Sequence, residues 1–293
     1  MFRTRSLNLL PALALALGLG SATQAAEVLL FNDFSSTAGL QLNGSAAQSG
    51  NVLRVTPAID NKGGSVFSTN AVSLANNASF STAFSFRFTN PDRGFCDNTP
   101  VCGADGLVFV VQTVSNSVGG VGGGIGYFGL QKSVGIEFDT WNNGGDPSIQ
   151  DINSNHVGVN VNGSLKSLLS VPVTEADLNG GDVWNAWIDY DGSSKNIELR
   201  LTRGADRPAN ALMSFTRDLA ADLQSTQAFF GFTSGTGLSN ANHDLLSWRL
   251  RSSFDPIGDP RQPPGTVPNP ASLPLVLAGI GLAAVATVRR RRP

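Results

Sequence analysis

Several features that mark common classes of protein are scarce in this sequence or absent from it. Its 20 basic and 22 acidic residues give a net charge of −2, and no basic stripe crosses the central region, which argues against nucleic acid as a partner. The two cysteines lack the CxxC spacing of redox and zinc motifs. Extended helical periodicity is also missing, which excludes an all-helical fold.

The N-terminal end has the pattern of a targeting segment. Residues 1–25 combine the basic side chains of Arg3 and Arg5 with a short apolar run and then small residues. This order predicts a signal peptide that is cleaved after Ala25 or Ala26. We therefore expect the chain to be exported.

The C-terminal end has the pattern of a second targeting signal. A proline-rich linker is predicted at 254–272, followed by a tail at 273–293 whose apolar run (273–288) precedes four arginines. A short apolar helix with a cytoplasmic arginine cluster obeys the positive-inside rule. With its Val-Pro-Asn-Pro step, the tail resembles the PEP-CTERM sorting signal of Gram-negative bacteria. The resemblance implies tethering in the inner membrane through transient insertion, processing by an exosortase-type enzyme, and release to the cell surface or extracellular matrix. Asn269 replaces the usual glutamate, so a plain tail anchor is the alternative.

Residues 27–253 read as a single all-β domain. Strand-like apolar runs alternate with turns rich in Gly, Asn, Ser and Thr, and the run at 80–89 alternates cleanly, which predicts one buried face. In an exported chain, Cys96 and Cys102 are expected to form a disulfide that closes a small loop.

The stretch 134–162 gathers metal-ligand side chains. On a strand at 134–140, Glu137 and Asp139 point to the same face, where two unpaired carboxylates repel each other and a cation removes the cost. Carboxylate, amide and carbonyl oxygens suit Ca²⁺, while imidazole beside shared carboxylates suits Mn²⁺ or Zn²⁺. The following loop and strand supply the other candidate ligands: Asn143, Asp146, Asp151 and His156.

This stretch resembles the metal-binding segment of the legume-type (L-type) lectins in their bacterial form, which read E-F-D-T-[FYW]-x-N and then D-x4-H. The resemblance implies a concanavalin-like jelly-roll β-sandwich of two antiparallel sheets, with Ca²⁺ and a transition metal, Mn²⁺ being expected. It assigns Glu137 and His156 to the transition metal, Asp139 and Asp151 to both ions, and Asn143 and the Trp141 carbonyl to calcium.

The loop is a few residues longer here than in plant members of that family. Asp151 keeps the family's spacing to His156, whereas Asp146 keeps the commoner spacing after Asn143. We prefer Asp151 as the bridging ligand and leave Asp146 as the alternative.

Two further motifs predict a carbohydrate-binding site. Ala104-Asp105-Gly is by itself an ordinary turn before a strand, but in L-type lectins this motif holds the sugar-binding aspartate after a non-proline cis peptide. The glycine-rich run around Gly123 and Gly124 resembles the family loop whose backbone N–H binds the sugar, with Gly123 as the preferred donor. The resemblance gives Asn143 a second contact, to the sugar. An aromatic residue for stacking is expected from residues 95–101 or from Tyr127.

Three functions are candidates for this pattern. The first is an exported, metal-dependent lectin that binds a saccharide or glycan and has no catalytic activity. The second is a glycoside hydrolase of laminarinase type, whose E-x-D-x-x-E motif needs two carboxyl groups; Glu137 and Asp139 are present, but no second glutamate follows within 140–143. The third is a structural matrix protein that has lost sugar binding.

Overall fold

The computed structural model describes residues 27–92, 94–97 and 101–261. The predicted signal peptide, the apolar tail and the linker beyond residue 261 lie outside the described residues. Sixteen strands and one short α-helix make up the described regular structure, apart from three single 3-10 turns. In chain order they are β1 (Glu27–Phe31), β2 (Leu40–Gly44), β3 (Ala47–Ser49), β4 (Val52–Thr56), β5 (Gly63–Ser68), β6 (Val72–Ser73), β7 (Phe80–Thr89), β8 (Gly106–Gln112), β9 (Ser133–Asp139), β10 (His156–Val161), β11 (Leu169–Pro172), β12 (Trp184–Asp191), β13 (Asn196–Thr202), β14 (Met213–Thr216), α1 (Leu219–Leu223), β15 (Gln227–Gly235) and β16 (Asn242–Arg251).

The strands form two eight-stranded antiparallel sheets that pack face to face. The back sheet has the order β14-β13-β12-β7-β16-β4-β3, and β1 pairs with β16. The front sheet has the order β11-β10-β9-β8-β15-β5-β2, and β6 pairs with β15. The predicted class, an all-β sandwich of two antiparallel sheets, is therefore confirmed.

The core lies between the sheets and is rich in phenylalanine. On β7, the alternation predicted from the sequence places Phe84 in the core, where its ring lies 5.8 Å from that of Phe138 and 4.8 Å from that of Phe232. Val134 and Ile136 join Phe138 in the same cluster, so β9 presents its alternate residues to the outer face of the front sheet. Each such buried side chain stabilises the fold by about 1.5–3 kcal/mol.

A smaller apolar cluster covers the outer face of the front sheet. Ile125, Tyr127 and Leu130 follow the glycine-rich run and pack over Val108 and Val110 of β8. This packing fixes the glycine-rich loop above the sheet, beside the end of β9.

The outer face of the back sheet is covered by the residues that follow β16. This C-terminal strap (residues 252–261) places Ile257 against Ala83 and Trp187, and the Trp187 Nε1–H donates to the Gly258 carbonyl at 2.6 Å. Trp184 lies in the core between the sheets, whereas Trp187 is buried on the opposite face of the same strand, because successive side chains alternate. Residues 254–261 of the strap lie within the range predicted as linker.

The single α-helix, α1, is five residues long and too short to give a periodic signal in the sequence. Asp218 caps its N-terminus by accepting from the Ala221 N–H. Across the described ranges, no helix has the length and apolar character needed to cross a membrane.

Candidate metal and carbohydrate site

The register of three front-sheet strands brings the predicted metal ligands together. Asp139, the last residue of β9, pairs with His156 on β10 and with Gly106 on β8. Glu137 pairs with Gly158 two residues earlier along β9. Glu137 and Asp139 therefore share the outer face, as the sequence predicted, and the β10 histidine joins them there.

Asp139, Asp151 and His156 form a compact group that could hold a metal ion, with one ligand atom from each lying within 4.8 Å of the others. The His156 Nε2 lies 3.5 Å from Glu137 Oε1 and 3.8 Å from Asp151 Oδ1. The His156 Nδ1 lies 2.9 Å from the Asn153 carbonyl oxygen, so Nδ1 carries the proton and Nε2 turns its lone pair towards the carboxylates.

Glu137 is held by side chains that the sequence analysis did not identify. Its carboxylate accepts hydrogen bonds from the Asn160 amide and the Ser167 hydroxyl. Gly158 lies directly beneath it, because an added Cβ there would stand 2.2 Å from Glu137 Oε1. The pairing of β10 with β9 and the turn that follows β10 bring these residues together, and no local motif signals it.

Burial and mutual repulsion perturb the acids of this group. Burial, then the charges of Asp151 and Glu137, raise the pKa of Asp139 well above its usual value. Burial raises the pKa of Asp151 to about 6, although the N–H of Asn143 opposes the rise. Burial by itself lowers the pKa of His156, but the interaction with Glu137 and the neighbouring charge of Asp151 outweigh burial and raise it. The electrostatics of the group favour an added positive charge.

The donor set fits a metal pair. The His156 Nε2 and the Asn143 Oδ1 are buried without a hydrogen-bond partner in the described part of the chain, and buried polar atoms are seldom left so. Carboxylate and amide oxygens suit Ca²⁺, and an imidazole with shared carboxylates suits Mn²⁺. The residues present therefore match the chemistry of the two predicted ions.

The two candidates for the bridging carboxylate occupy different surroundings. Asp151 belongs to the metal-ligand group and accepts from the Asn143 N–H at 2.6 Å. Asp146 is exposed and accepts from the N–H and the hydroxyl of Ser148, and these hydrogen bonds lower the pKa of Asp146. The geometry favours Asp151.

A cavity of about 200 Å³ lies beside the metal-ligand group. The loops after β9 and β15, the glycine-rich loop and the segment before β8 all contribute to its wall. Its lining residues are Phe95, Ala104, Asp105, Gly123, Trp141, Asn143, Gly237, Leu238 and Ser239.

Asp105 supplies the buried acid of this pocket. The Ala104–Asp105 peptide bond is cis, and Asp105 is 4% exposed with its Oδ2 lacking a hydrogen-bond partner in the described residues. Burial raises the pKa of Asp105 to about 8, although a hydrogen bond from the Gly237 N–H opposes the rise. The Asp105 N–H donates to the Gly235 carbonyl at 3.1 Å, which ties this loop to β15.

Of the two glycines predicted to contact a sugar, the structure places Gly123 in the pocket. A side chain at this position would displace Asn143, because an added Cβ would stand 2.9 Å from Asn143 Oδ1. The Gly124 N–H already donates to the Val121 carbonyl at 3.1 Å, and Gly124 does not line the cavity. Gly123 is therefore the better-placed donor.

The aromatic side chains at the pocket differ in part from those expected. Tyr127 is fully buried and its hydroxyl accepts from the Ser133 hydroxyl, so it does not reach the pocket. Phe95, from the predicted range 95–101, does line it. Trp141 was expected to contribute only its carbonyl, yet its ring also lines the pocket and stacks on Phe95 at 5.3 Å.

The remaining predicted features are found outside the metal-ligand group. Cys96 and Cys102 form a disulfide. His243 is buried on β16, where its Nδ1 lies 2.7 Å from the Thr56 hydroxyl. Gly237 and the two residues after it, in the loop between β15 and β16, line the pocket.

The two-sheet antiparallel β-sandwich matches the structures of legume lectins. The chain belongs to the legume lectin family, whose domain matches residues 27–264. Members of this family are non-catalytic carbohydrate-binding proteins, and the chain is accordingly not an enzyme.

Individual relatives agree with this assignment. The chain is similar to the L-type lectin-domain containing receptor kinase VIII.1 of Arabidopsis thaliana, with 33% identity over 76% of this chain and 32% of that protein, so it spans about a third of the kinase. Basic winged bean lectin with the Tn antigen shares 29% identity, with a TM-score of 0.62 over 76% of this chain and 96% of that one. Acidic winged bean lectin, complexed with methyl α-D-galactose, shares 25% identity, with a TM-score of 0.62 over 78% and 98%.

Proposed function

We propose that this chain binds carbohydrate in a metal-dependent manner through the pocket at the end of β9. The observation that carries the proposal is the pair of buried acceptors, Asp105 Oδ2 and Asn143 Oδ1, which have no partner within the described ranges. Both line a cavity next to the Asp139–Asp151–His156 group. A ligand rich in hydroxyl groups would donate the hydrogen bond that Asp105 Oδ2 lacks. A bound cation would be the partner that Asn143 Oδ1 lacks.

Each pocket residue has a separate task in this proposal. The Asp105 carboxylate accepts hydrogen bonds from two sugar hydroxyls, the Asn143 amide donates a third bond, and the Gly123 backbone N–H donates a fourth. The Trp141 ring supplies the apolar surface on which the C–H face of a sugar ring stacks. The closeness of Gly123 to the Asn143 side chain supports their acting on one monosaccharide.

The metal-binding residues are assigned as the resemblance implied. Glu137 and His156 would hold a transition metal, and Asn143 and the Trp141 carbonyl would hold calcium. The carboxylates of Asp139 and Asp151, which group with His156, would serve both ions. Bound cations would neutralise the crowded carboxylates and fix the loops that carry the pocket residues.

Sugar binding by the purified chain tests the proposal. With Ca²⁺ and Mn²⁺ present, we expect binding on a glycan array and in calorimetry with methyl α-D-galactoside and the Tn antigen as first probes. EDTA, Asp105→Asn and Asn143→Ala should each abolish it. Asp33→Asn should not, because Asp33 is an exposed acid that belongs to neither the pocket nor the metal-ligand group. Metal-loaded protein that binds no glycan on the array would favour the alternative of a matrix protein without sugar binding.

We further propose that the chain is exported and acts at the cell surface or in the extracellular matrix. The predicted signal peptide and the tail at 273–293 motivate this location, and an exosortase-type enzyme would be the partner for the tail. Fractionation of cells that express the full chain and a chain ending at residue 272 tests it. The full chain should pass from the inner membrane to the exterior, and accumulation in the cytoplasm would contradict export.

A further inference from the structure

The disulfide lies at the edge of the candidate sugar pocket. Cys96 follows Phe95, which lines the pocket, and Cys102 is bonded to it across six positions in the sequence. Three residues after Cys102 comes Asp105, the buried acid of the pocket. The covalent link therefore joins two segments that both contribute to the pocket wall.

Residues 95 and 97 contact the loop that follows β9. The Phe95 ring stacks on the Trp141 ring with a centroid distance of 5.3 Å and an interplanar angle of 19°. The Asp97 Oδ2 accepts from the Asn142 N–H at 3.0 Å. These contacts hold two consecutive residues immediately before Asn143, through one side chain and one backbone N–H.

The other end of the disulfide is anchored independently. The carbonyl of Gly103, next to Cys102, accepts from the Asn179 amide at 3.0 Å, and Asn179 is itself buried. The disulfide therefore ties residues 95–97 to the segment that the Asn179 hydrogen bond holds in place. Phe95 is nevertheless 49% exposed, and an exposed aromatic ring that packs mainly on one other ring is a feature that core stability does not require.

We propose that Phe95, Asp97 and the Cys96–Cys102 disulfide form a clamp that positions Trp141 and Asn143 for ligand and metal binding. The clamp residues are positioning residues, because they act through the Trp141 ring and the Asn142 backbone. The inference rests on the proposed function and extends it: the sugar site depends on an oxidised disulfide, so carbohydrate binding is sensitive to reduction.

Tryptophan fluorescence reports on the clamp without any sugar. The chain has four tryptophans, and Trp184, Trp187 and Trp248 are all 0% exposed, so acrylamide quenching reports mainly on Trp141. Terbium, a luminescent substitute for Ca²⁺, gives a second readout because a nearby tryptophan sensitises its emission. Both measurements use the purified chain in oxidised form and after reduction.

We expect Phe95→Ala, Asp97→Ala and the Cys96→Ser/Cys102→Ser double variant each to raise quenching of Trp141 about twofold. The terbium affinity of these variants should fall about fivefold, because each loses one aromatic contact or one charge-assisted hydrogen bond. Phe95→Tyr and Asp97→Asn should restore wild-type values, because each keeps the contact that the alanine variant loses. Phe254→Ala, a control at an exposed phenylalanine of the strap (51% exposed), should change neither signal.

Sugar binding is then measured on the same proteins with methyl α-D-galactoside and the Tn antigen. Unchanged quenching and terbium binding in the alanine variants and the reduced protein would overturn the clamp, whatever the sugar result. Altered quenching and terbium binding in a chain that binds no sugar would support the clamp and contradict the proposed function instead.

Discussion

Two glycines set the geometry of the site by leaving room for other side chains. Gly123 lies against the Asn143 side chain, and Gly158 lies under Glu137. Neither position has a backbone conformation that requires glycine, because neither has a positive φ, so the requirement is spatial. Substitution of Gly123 therefore tests the sugar pocket, and substitution of Gly158 tests the metal-ligand group.

Gly123→Ala should weaken sugar binding at least tenfold while the fold stays intact. The added Cβ would approach the end of the Asn143 side chain, at 2.9 Å from its Oδ1, and can displace it at little cost to stability. Calorimetry with methyl α-D-galactoside, together with thermal unfolding, measures both effects. Gly145→Ala is the matched control, since its Cβ would meet nothing within 4 Å; equal losses in both variants would contradict a direct role for Gly123.

Gly158→Ala should reduce Mn²⁺ affinity more than tenfold and destabilise the fold by about 1–3 kcal/mol. Its Cβ would stand 2.2 Å from Glu137 Oε1 and 2.3 Å from the Ser167 hydroxyl, so the glutamate must move away. Calorimetric titration with Mn²⁺ and urea unfolding are the measurements. Ser167→Ala, which removes a hydrogen bond but adds no bulk, should lower the affinity about tenfold, and wild-type Mn²⁺ binding in Gly158→Ala would exclude Glu137 as a ligand.

The sequence predicted the site residues that belong to one contiguous motif and missed those brought in by pairing. Glu137, Asp139 and His156 lie on two predicted strands, and their shared face follows from alternation alone. Asn160 contacts Glu137 because of the register between β9 and β10. Ser167 contacts it because the turn after β10 folds back onto Asn160, and no short motif specifies either arrangement. The position of the Trp141 ring could not be predicted from the local sequence, because it stacks on Phe95, more than forty positions earlier in the chain.

At the scale of elements, the strap is the feature that was hardest to predict from the sequence. Its composition resembles the start of a linker, and its order depends on Trp187, more than sixty positions earlier in the chain. Ile257 and Gly258 contact Trp187. In addition, the Asp255 N–H donates to the Ser81 hydroxyl at 3.1 Å, and the Asp255 carboxylate pairs with Arg251 at 2.9 Å. The strap is thus bonded to three strands of the back sheet.

Ile257→Ala should lower the free energy of unfolding by about 2–3 kcal/mol, because this fully buried side chain fills the space above Trp187. Urea unfolding measures the change. Sugar binding should be unaffected, since the strap packs on the back sheet and the pocket belongs to the front sheet. Ile59→Ala, at a position that is 53% exposed, is the control, and a comparable loss there would show that the strap contributes nothing specific.

At the scale of the whole molecule, burial of His243 makes stability depend on pH. Its ring packs edge-on against Phe88 and its Nδ1 contacts the Thr56 hydroxyl, while the neighbouring charges of Asp244 and Arg54 neutralise each other. Burial lowers the pKa of His243 to about 3. Because the folded pKa lies below the unfolded value, the unfolded chain binds the proton first as pH falls. Stability from this group is fully present above about pH 6.5 and is lost progressively towards pH 3.

Between pH 7 and pH 4.5, His243 should account for about 2–3 kcal/mol of lost stability. The measurement compares urea unfolding of the wild type and His243→Gln at both pH values, with EDTA present so that metal release does not contribute. The variant should show a smaller decline by that amount, since glutamine does not take up a proton. Parallel declines in the two proteins would assign the acid sensitivity to other groups.

The strap also leaves the candidate pocket uncovered. Ile257 and Gly258 of the strap pack on the back sheet, whereas the pocket is formed by loops of the front sheet. A chemical label coupled to the strap would consequently leave the pocket accessible to a ligand.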